Sequence, residues 1–239
     1  MILYLIRHGD PIYEPDSLTP LGHEQAKALA KRFTVYGLDE IYCSTSNRAK
    51  LTAQPTCELL GKEMTLVDWA NEGYAWNDFC APYPNGSKRW AFHNPKYIEL
   101  FNSDEVLALG KEWYKYPAFE GLNFEAGVKR LNKEVDAWLD TLGYKHDRER
   151  NGYIAENANE KRVALFAHQG FGLAFLSTVL DIPYPTFSTR FDITTSGVSV
   201  LFFSETKGSF TVPKLLQLSN DSHLYREGIM NGYHNSIKL

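Results

Sequence analysis

Ile2-Leu3-Tyr4-Leu5-Ile6-Arg7-His8-Gly9-Asp10 decides how this chain reads. An apolar run stops abruptly at Arg7-His8-Gly9. A short, continuous apolar run fits a strand buried on both faces of a parallel sheet. Ligands in open α/β sheets bind just outside the carboxyl ends of the strands. The strand therefore delivers a basic pair to the mouth of such a sheet. Alone, the pair is also compatible with ordinary loop residues. What the other stretches bring to the same edge separates the two readings.

Thr19-Pro20 opens a helix, with Thr19 as N-cap and Pro20 at its first position. Leu21, Gln25, Ala26, Leu29 and Phe33 share one face of it. A short strand over residues 40–43 runs into Ser44-Thr45-Ser46-Asn47-Arg48. Ser46 is placed to cap a helix that reaches about Leu60 and stops at Gly61. Pro55 inside it predicts a kink. Residues 64–67 form a third short strand. Asn123 caps a helix carrying Val128, Leu131, Val135, Trp138 and Leu142 on one face. The polar segment 144–161 reads as a small hairpin turning at Asn157-Ala158-Asn159. Residues 162–167 form an apolar strand that also ends in histidine, His168-Gln169-Gly170, before a helix over 171–180. Residues 198–203 are a clear strand and 215–218 a weaker one.

Strands alternating with helices imply an α/β three-layer sandwich. A mainly parallel central sheet carries helices on both faces. Between about residues 73 and 122 the pattern loosens into aromatics among prolines, glycines and charges. This segment reads as an inserted helical and loop cap within a single domain, 1–239.

The 239 residues are 44% hydrophobic, enough for a substantial core, and 14% aromatic. The net charge of −4 comes without any block of like charges, so no nucleic-acid partner is expected. Affinity for an anion must come from a local basic pocket. Cys43, Cys57 and Cys80 form no CxxC pair, which fits a reducing compartment without disulfides. The longest apolar stretch, residues 163–180, is broken by His168-Gln169-Gly170 and does not read as a membrane span. No basic leader precedes the first strand, and a cytoplasmic protein is the expectation.

Parallel strands place their carboxyl ends along one edge, so Arg7, His8, Arg48 and His168 can converge. Two guanidiniums offer forked donors matching phosphate oxygens. Helix N-termini after Ser46 and His168 add N–H donors. That combination suits a doubly charged tetrahedral anion. A metal centre on His8 and His168 does not fit, because flanking arginines repel a cation. His23, His93, His146, His223 and His234 read as surface or packing residues. The aromatics of 73–122 read first as core, with an apolar substrate wall as the alternative. They would serve as a dimer face as readily as a pocket lid, so a homodimer stays open.

Four stretches together resemble the histidine phosphatase superfamily, also called phosphoglycerate mutase-like. They are Leu5-Ile6-Arg7-His8-Gly9-Asp10, Leu18-Thr19-Pro20-Leu21-Gly22 with Gln25-Ala26, Ile41-Tyr42-Cys43-Ser44 through Arg48-Ala49 with Thr52-Ala53, and Phe166-Ala167-His168-Gln169-Gly170. They span residue 1 to about 205 and leave the middle segment unmatched. The resemblance implies that His8 is the nucleophile accepting a phosphoryl group. It implies that Arg7, Arg48 and His168 hold the phosphate, with Gln169 as a further substrate contact. Glu72 falls where the family keeps its proton donor, and Asp10 and Asp78 compete for that role. No cofactor or metal is implied, and the partner is a small phosphorylated metabolite.

Hydrolysis and mutase chemistry share this set of residues. In the resemblance, mutases continue the first motif with an asparagine that helps bind phosphate, and here Glu14 stands near that place. No arginine-rich segment matches the mutase grip on a distal anionic group; only Lys88-Arg89 comes close. These departures favour a metal-independent phosphomonoesterase. A mutase and a non-catalytic module binding a phosphorylated ligand are the alternatives.

Overall fold

The computed structural model describes residues 1–231. His234 lies outside the described residues. The central sheet has six strands: β1 (Ile2–Arg7), β2 (Glu40–Ser44), β3 (Thr65–Val67), β4 (Arg162–Ala167), β5 (Val198–Phe202) and β6 (Lys214–Asn220). Their spatial order is β6-β5-β1-β4-β2-β3. β1, β4, β2 and β3 are mutually parallel, with Ile6 opposite Phe166 and Cys43 opposite Leu66. β5 and β6 add an antiparallel edge. The sheet is thus mainly parallel.

Period-two alternation divides the side chains of β1 between two cores. Leu3 and Leu5 enter one, Tyr4 and Ile6 the other. The Tyr4 side is covered by α1 (Pro20–Tyr36) and α2 (Asn47–Leu60), which bring Leu29, Phe33, Ala53 and Cys57. The Leu3 side is covered by α4 (Phe124–Thr141) and α5 (Gln169–Leu180). α5 begins two residues before the expected start, directly at Gln169. Among the described residues, no helix is long and apolar enough to cross a membrane.

Thr19 caps α1 as its sequence predicts, its hydroxyl accepting from Gly22 N at 3.1 Å. Leu21, expected on the buried face, is instead 42% exposed, while Ala28 and Ala30 are buried. The first turn leans against the Gly9–Asp10 loop, so the core-facing stripe starts only at Gly22 and Gln25. Gly61 ends α2 in the left-handed region.

Segment 73–122 overlaps α3 (Glu72–Phe79) and continues through a two-stranded hairpin and several short helices. Most of its aromatics form core. Phe101, Trp113 and Phe119 pack edge-on with one another, and Phe124 and Tyr184 close the cluster, with Tyr184 stacked on Trp113. The hairpin expected at Asn157-Ala158-Asn159 lies earlier. Lys145–Asp147 pairs with Gly152–Ile154, and Asn151 takes the left-handed conformation that the turn requires. Asn157 N donates instead to Gly143 O at 3.0 Å, and Asn159 Nδ2 to Leu142 O at 2.8 Å. Asn123 precedes α4 without capping it, because its amide donates to Asn77 O at 3.1 Å.

Gly9 and Gly22 let β1's terminal loop and α1 touch backbone to backbone. A Cβ on Gly22 would lie 2.3 Å from Asp10 O. Gly22→Ala should therefore cost about 1–3 kcal/mol of stability, the range for overpacking a tight contact. Urea unfolding of the variant measures it, and an unchanged midpoint would contradict this packing.

Candidate active site

The carboxyl ends of β1, β2 and β4 open into a cavity of about 510 Å³. Arg7, His8, Arg48, Glu72 and Gln169 all line it. His168 sits directly behind, fully buried, its ring centroid 5.2 Å from that of His8. The six residues singled out in the sequence therefore meet at one place.

Gly9 turns the chain so that its own carbonyl lies 2.7 Å from His8 Nδ1. A carbonyl only accepts, so Nδ1 carries the proton and Nε2 keeps a lone pair. The loop is fixed from below. Gly9 N donates to Thr52 Oγ1 at 2.9 Å, and that hydroxyl donates to Arg48 O at 2.8 Å. The His8 loop is thus tied to the first turn of α2, which carries Arg48.

His168 Nε2 lies 2.8 Å from Ser44 Oγ and 3.2 Å from Ser46 Oγ. Its Nδ1 is buried without a hydrogen-bond partner among the described residues. Because Ser46 faces His168, its side chain makes no capping bond to α2. Asp16 does that work, accepting from Asn47 N at 2.6 Å and from Arg48 Nη1 at 2.8 Å. Asp16 comes from the loop after β1, and Tyr13 of the same loop lies 5.4 Å from the Arg48 guanidinium carbon. Glu14, the acidic residue noted in the sequence, is exposed and does not line the cavity; Asp16 does.

Arg7 is buried, and its Nη1 donates to Ile193 O at 2.7 Å. Gln169 Nε2 donates to Asp192 Oδ1 at 2.6 Å. Glu72 opens α3, with Asn71 Oδ1 accepting from Gly73 N at 2.9 Å to cap that helix. The Glu72 carboxylate spans the start of α5. Oε1 accepts from Gly170 N at 3.0 Å and Oε2 from Phe171 N at 2.9 Å. The competing carboxylates stand elsewhere. Asp10 accepts from Thr19 Oγ1 at 2.7 Å, and Asp78 pairs with Arg130 at 2.7 Å.

Burial and charge set the protonation states. Burial, then Arg7 and Arg48, push the His8 pKa well below that of a free imidazole. Burial, then His8 and the same arginines, do so for His168. Burial raises the Glu72 pKa, opposed by the Phe171 and Gly170 amides and by both arginines. The site therefore favours neutral imidazoles beside a carboxyl that holds its proton more tightly than usual.

Of the remaining histidines, His23 is exposed and His93 packs on Phe92. His223 lies 2.7 Å from Ser196 Oγ, and His146 sits between Asp136 and Asp181 at 2.8 Å from each. None of the four lines the cavity. Asp16, Ser44, Ser46 and Thr52 are the site neighbours that sequence reading passed over. The dense hydroxyl run Ser44-Thr45-Ser46 and the Thr52 of the matched motif were the available signals.

The family model described as "Histidine phosphatase superfamily (branch 1)" matches residues 3–77. A Hydrogenobacter thermophilus protein named "Putative phosphoserine phosphatase 2" is 36% identical over 153 residues, covering 60% of this chain and 68% of that protein. The chain belongs to the histidine phosphatase superfamily. It is accordingly an enzyme of the phosphatase type. Solved structures share its fold. Entamoeba histolytica phosphoserine phosphatase, in complex with 3-phosphoglyceric acid, superposes with a TM-score of 0.58 at 19% identity, over 93% of this chain and 98% of that one. Mycobacterial glucosyl-3-phosphoglycerate phosphatase with VO3 gives 0.58 at 18% identity, over 91% and 98%.

The buried imidazoles also tie stability to pH. In the unfolded chain His8 and His168 titrate near 6.5, and in the folded chain well below it. Below about pH 6.5 the unfolded state takes up protons that the folded state refuses, so stability falls as pH drops. Replacing both by asparagine should flatten that slope, read from urea-unfolding free energies at steps between about pH 7.5 and 5. An unchanged slope would mean the rings titrate normally.

Proposed function

We propose that the chain is a metal-independent phosphomonoesterase that works through a phosphohistidine on His8. The observation that carries this reading is the His8 Nδ1–Gly9 carbonyl contact of 2.7 Å, which leaves Nε2 as a nucleophile. A lowered pKa keeps that nitrogen unprotonated beside two cations. The same cations suit a phosphate dianion, since phosphoryl transfer depends chiefly on positioning and charge stabilisation.

In the first step, His8 Nε2 forms the N–P bond as the ester P–O bond breaks. Arg7 and Arg48 take the equatorial oxygens, and His168 offers its unpartnered ring nitrogen to the same group. Glu72, its pKa raised by burial, gives its proton to the departing alkoxide. In the second step, water attacks phosphorus and passes a proton to Glu72. Phosphate leaves, and His8 regains its lone pair. Covalent capture divides one difficult displacement into two easier ones. Gln169 contacts the substrate from the start of α5, and residues 73–122 serve as the cap of a single domain.

Hydrolysis is favoured over a mutase reaction by the rim of the cavity. Among the described residues that line it, Arg7 and Arg48 are the only arginines or lysines, and Arg48 is already paired with Asp16 at 2.8 Å, so no further cation is offered to a second phosphate. The relatives' names also describe hydrolases of small phosphorylated metabolites.

His8→Ala should abolish phosphate release and acid-labile, base-stable labelling of the protein by phosphoester. Full activity of that variant, assayed in the presence of chelator, would reject the mechanism. Glu72→Gln should slow alkyl phosphates by about 10²–10⁴-fold, the range for general acid catalysis, and activated aryl phosphates far less. Equal slowing of both classes would assign the proton to another group.

A further inference from the structure

The cavity is too large for phosphate alone, and the remainder of its wall has a definite chemistry. Trp76 and Trp90 form one side, their rings 5.2 Å apart at 86°. Tyr13 lines it as well, its ring 5.4 Å from the Arg48 guanidinium carbon. Asn71 and Gly73 are further lining residues. Trp90 is immobilised from two directions. It stacks on Phe92 at 5.4 Å, and its six-membered ring lies over Gly170, where a Cβ would approach it to 2.3 Å. Trp76 stands in front of it, 41% exposed. An exposed indole braced by a fixed one is an apolar platform rather than a core contact.

Among the described residues that line the cavity, Arg7 and Arg48 are the only arginines or lysines, and Asp16 and Glu72 are the carboxylates. Asp16 is paired with Arg48 at 2.8 Å, and Glu72 is held by the Gly170 and Phe171 amides. Lys88 and Arg89 are nearby in sequence but do not line the cavity, and Arg89 lies over Tyr83 at 3.8 Å. With both guanidiniums committed to phosphate, a leaving group bearing its own carboxylate or phosphate would find no further arginine or lysine among the described lining residues. An uncharged ring would find two indoles and a phenol.

We infer that the preferred substrate is a phosphomonoester whose leaving group is uncharged and flat-faced, seated against Trp76 and Trp90, and that anionic leaving groups are disfavoured. This rests on the phosphatase reading above and adds the substrate class. It separates the chain from relatives whose names include phosphoserine and phosphoglycerate, since both of those esters carry a carboxylate. Trp76 is then a specificity residue.

The test compares 2-phenylethyl phosphate, ethyl phosphate and 3-phosphoglycerate on the intact protein. The first two release alkoxides of similar basicity, so their ratio reports binding of the ring. That ratio of kcat/KM should be roughly tenfold or more, the size of one good aromatic pair. 3-Phosphoglycerate, whose leaving group is a net anion, should be the poorest of the three. Trp76→Ala should bring the ring preference towards unity, and Trp76→Phe should keep most of it. Trp76→Arg should raise 3-phosphoglycerate turnover relative to 2-phenylethyl phosphate. Circular dichroism and unfolding midpoints establish that each variant is folded. A ratio near one in the natural sequence, or 3-phosphoglycerate as the best ester, overturns the inference while His8 still becomes phosphorylated. Absence of turnover on every ester, together with unlabelled His8, overturns the phosphatase reading itself and this inference with it.

Discussion

The Glu72 carboxylate seated on the first amides of α5 is the contact on which the site depends. A helix begins with several N–H groups that have no intrahelical partner, and its positive dipole end attracts an anion. Here two of those groups are met by a side chain from a different element. One contact therefore fixes three things. It anchors the beginning of α3 against the sheet, it sets the position of the carboxyl, and it holds that carboxyl beside the end of β4. Trp90 seals the same spot from the other side through Gly170. The hydrogen bonds stabilise the ionised form, whereas burial opposes it. Burial prevails, which is why this group retains its proton more readily than a carboxylate in water.

Opposite it, the two histidines are governed by the reverse balance. Burial and neighbouring guanidiniums both act against an imidazolium, so both rings remain neutral. The arginines themselves are kept in place by backbone and by an acidic loop residue rather than by each other. Arg7 is held by Ile193 O, and Arg48 by Asp16. Asp16 thus has two consequences at once. It completes the N-terminus of α2, and it brings a negative charge to the rim.

Much of this was legible in the sequence because it rests on local rules. The apolar run of β1, the Thr19-Pro20 start of α1 and the Gly61 stop of α2 each follow from one or two residues. Convergence of Arg7, His8, Arg48 and His168 followed from the parallel direction of their strands. What escaped was set by tertiary competition for polar groups. Ser46 has the right type and place for an N-cap, yet its hydroxyl goes to His168 and a distant aspartate caps the helix instead. Asn123 is drawn away in the same manner by Asn77. Residues 144–161 offer several asparagines, and only packing against Gly143 decides which of them turns the chain. The aromatics of 73–122 share one composition, but burial divides them. Phe101 and Trp113 are core, while Trp76 reaches the cavity.

The cysteines carry a practical consequence. Cys43 of β2 and Cys57 of α2 share the core between the sheet and α1 and α2, and Cys80 pairs with Trp90 in the small hairpin beyond the sheet. All three are buried, and burial raises each thiol, Cys43 to about 12. Thiolate is the reactive species, so an alkylating reagent finds little to attack in the native molecule. Each sulfur becomes reactive only when its own layer opens. Timed alkylation followed by peptide mapping can thus distinguish breathing of the hairpin from loosening of the helical layer, with no label introduced into the chain.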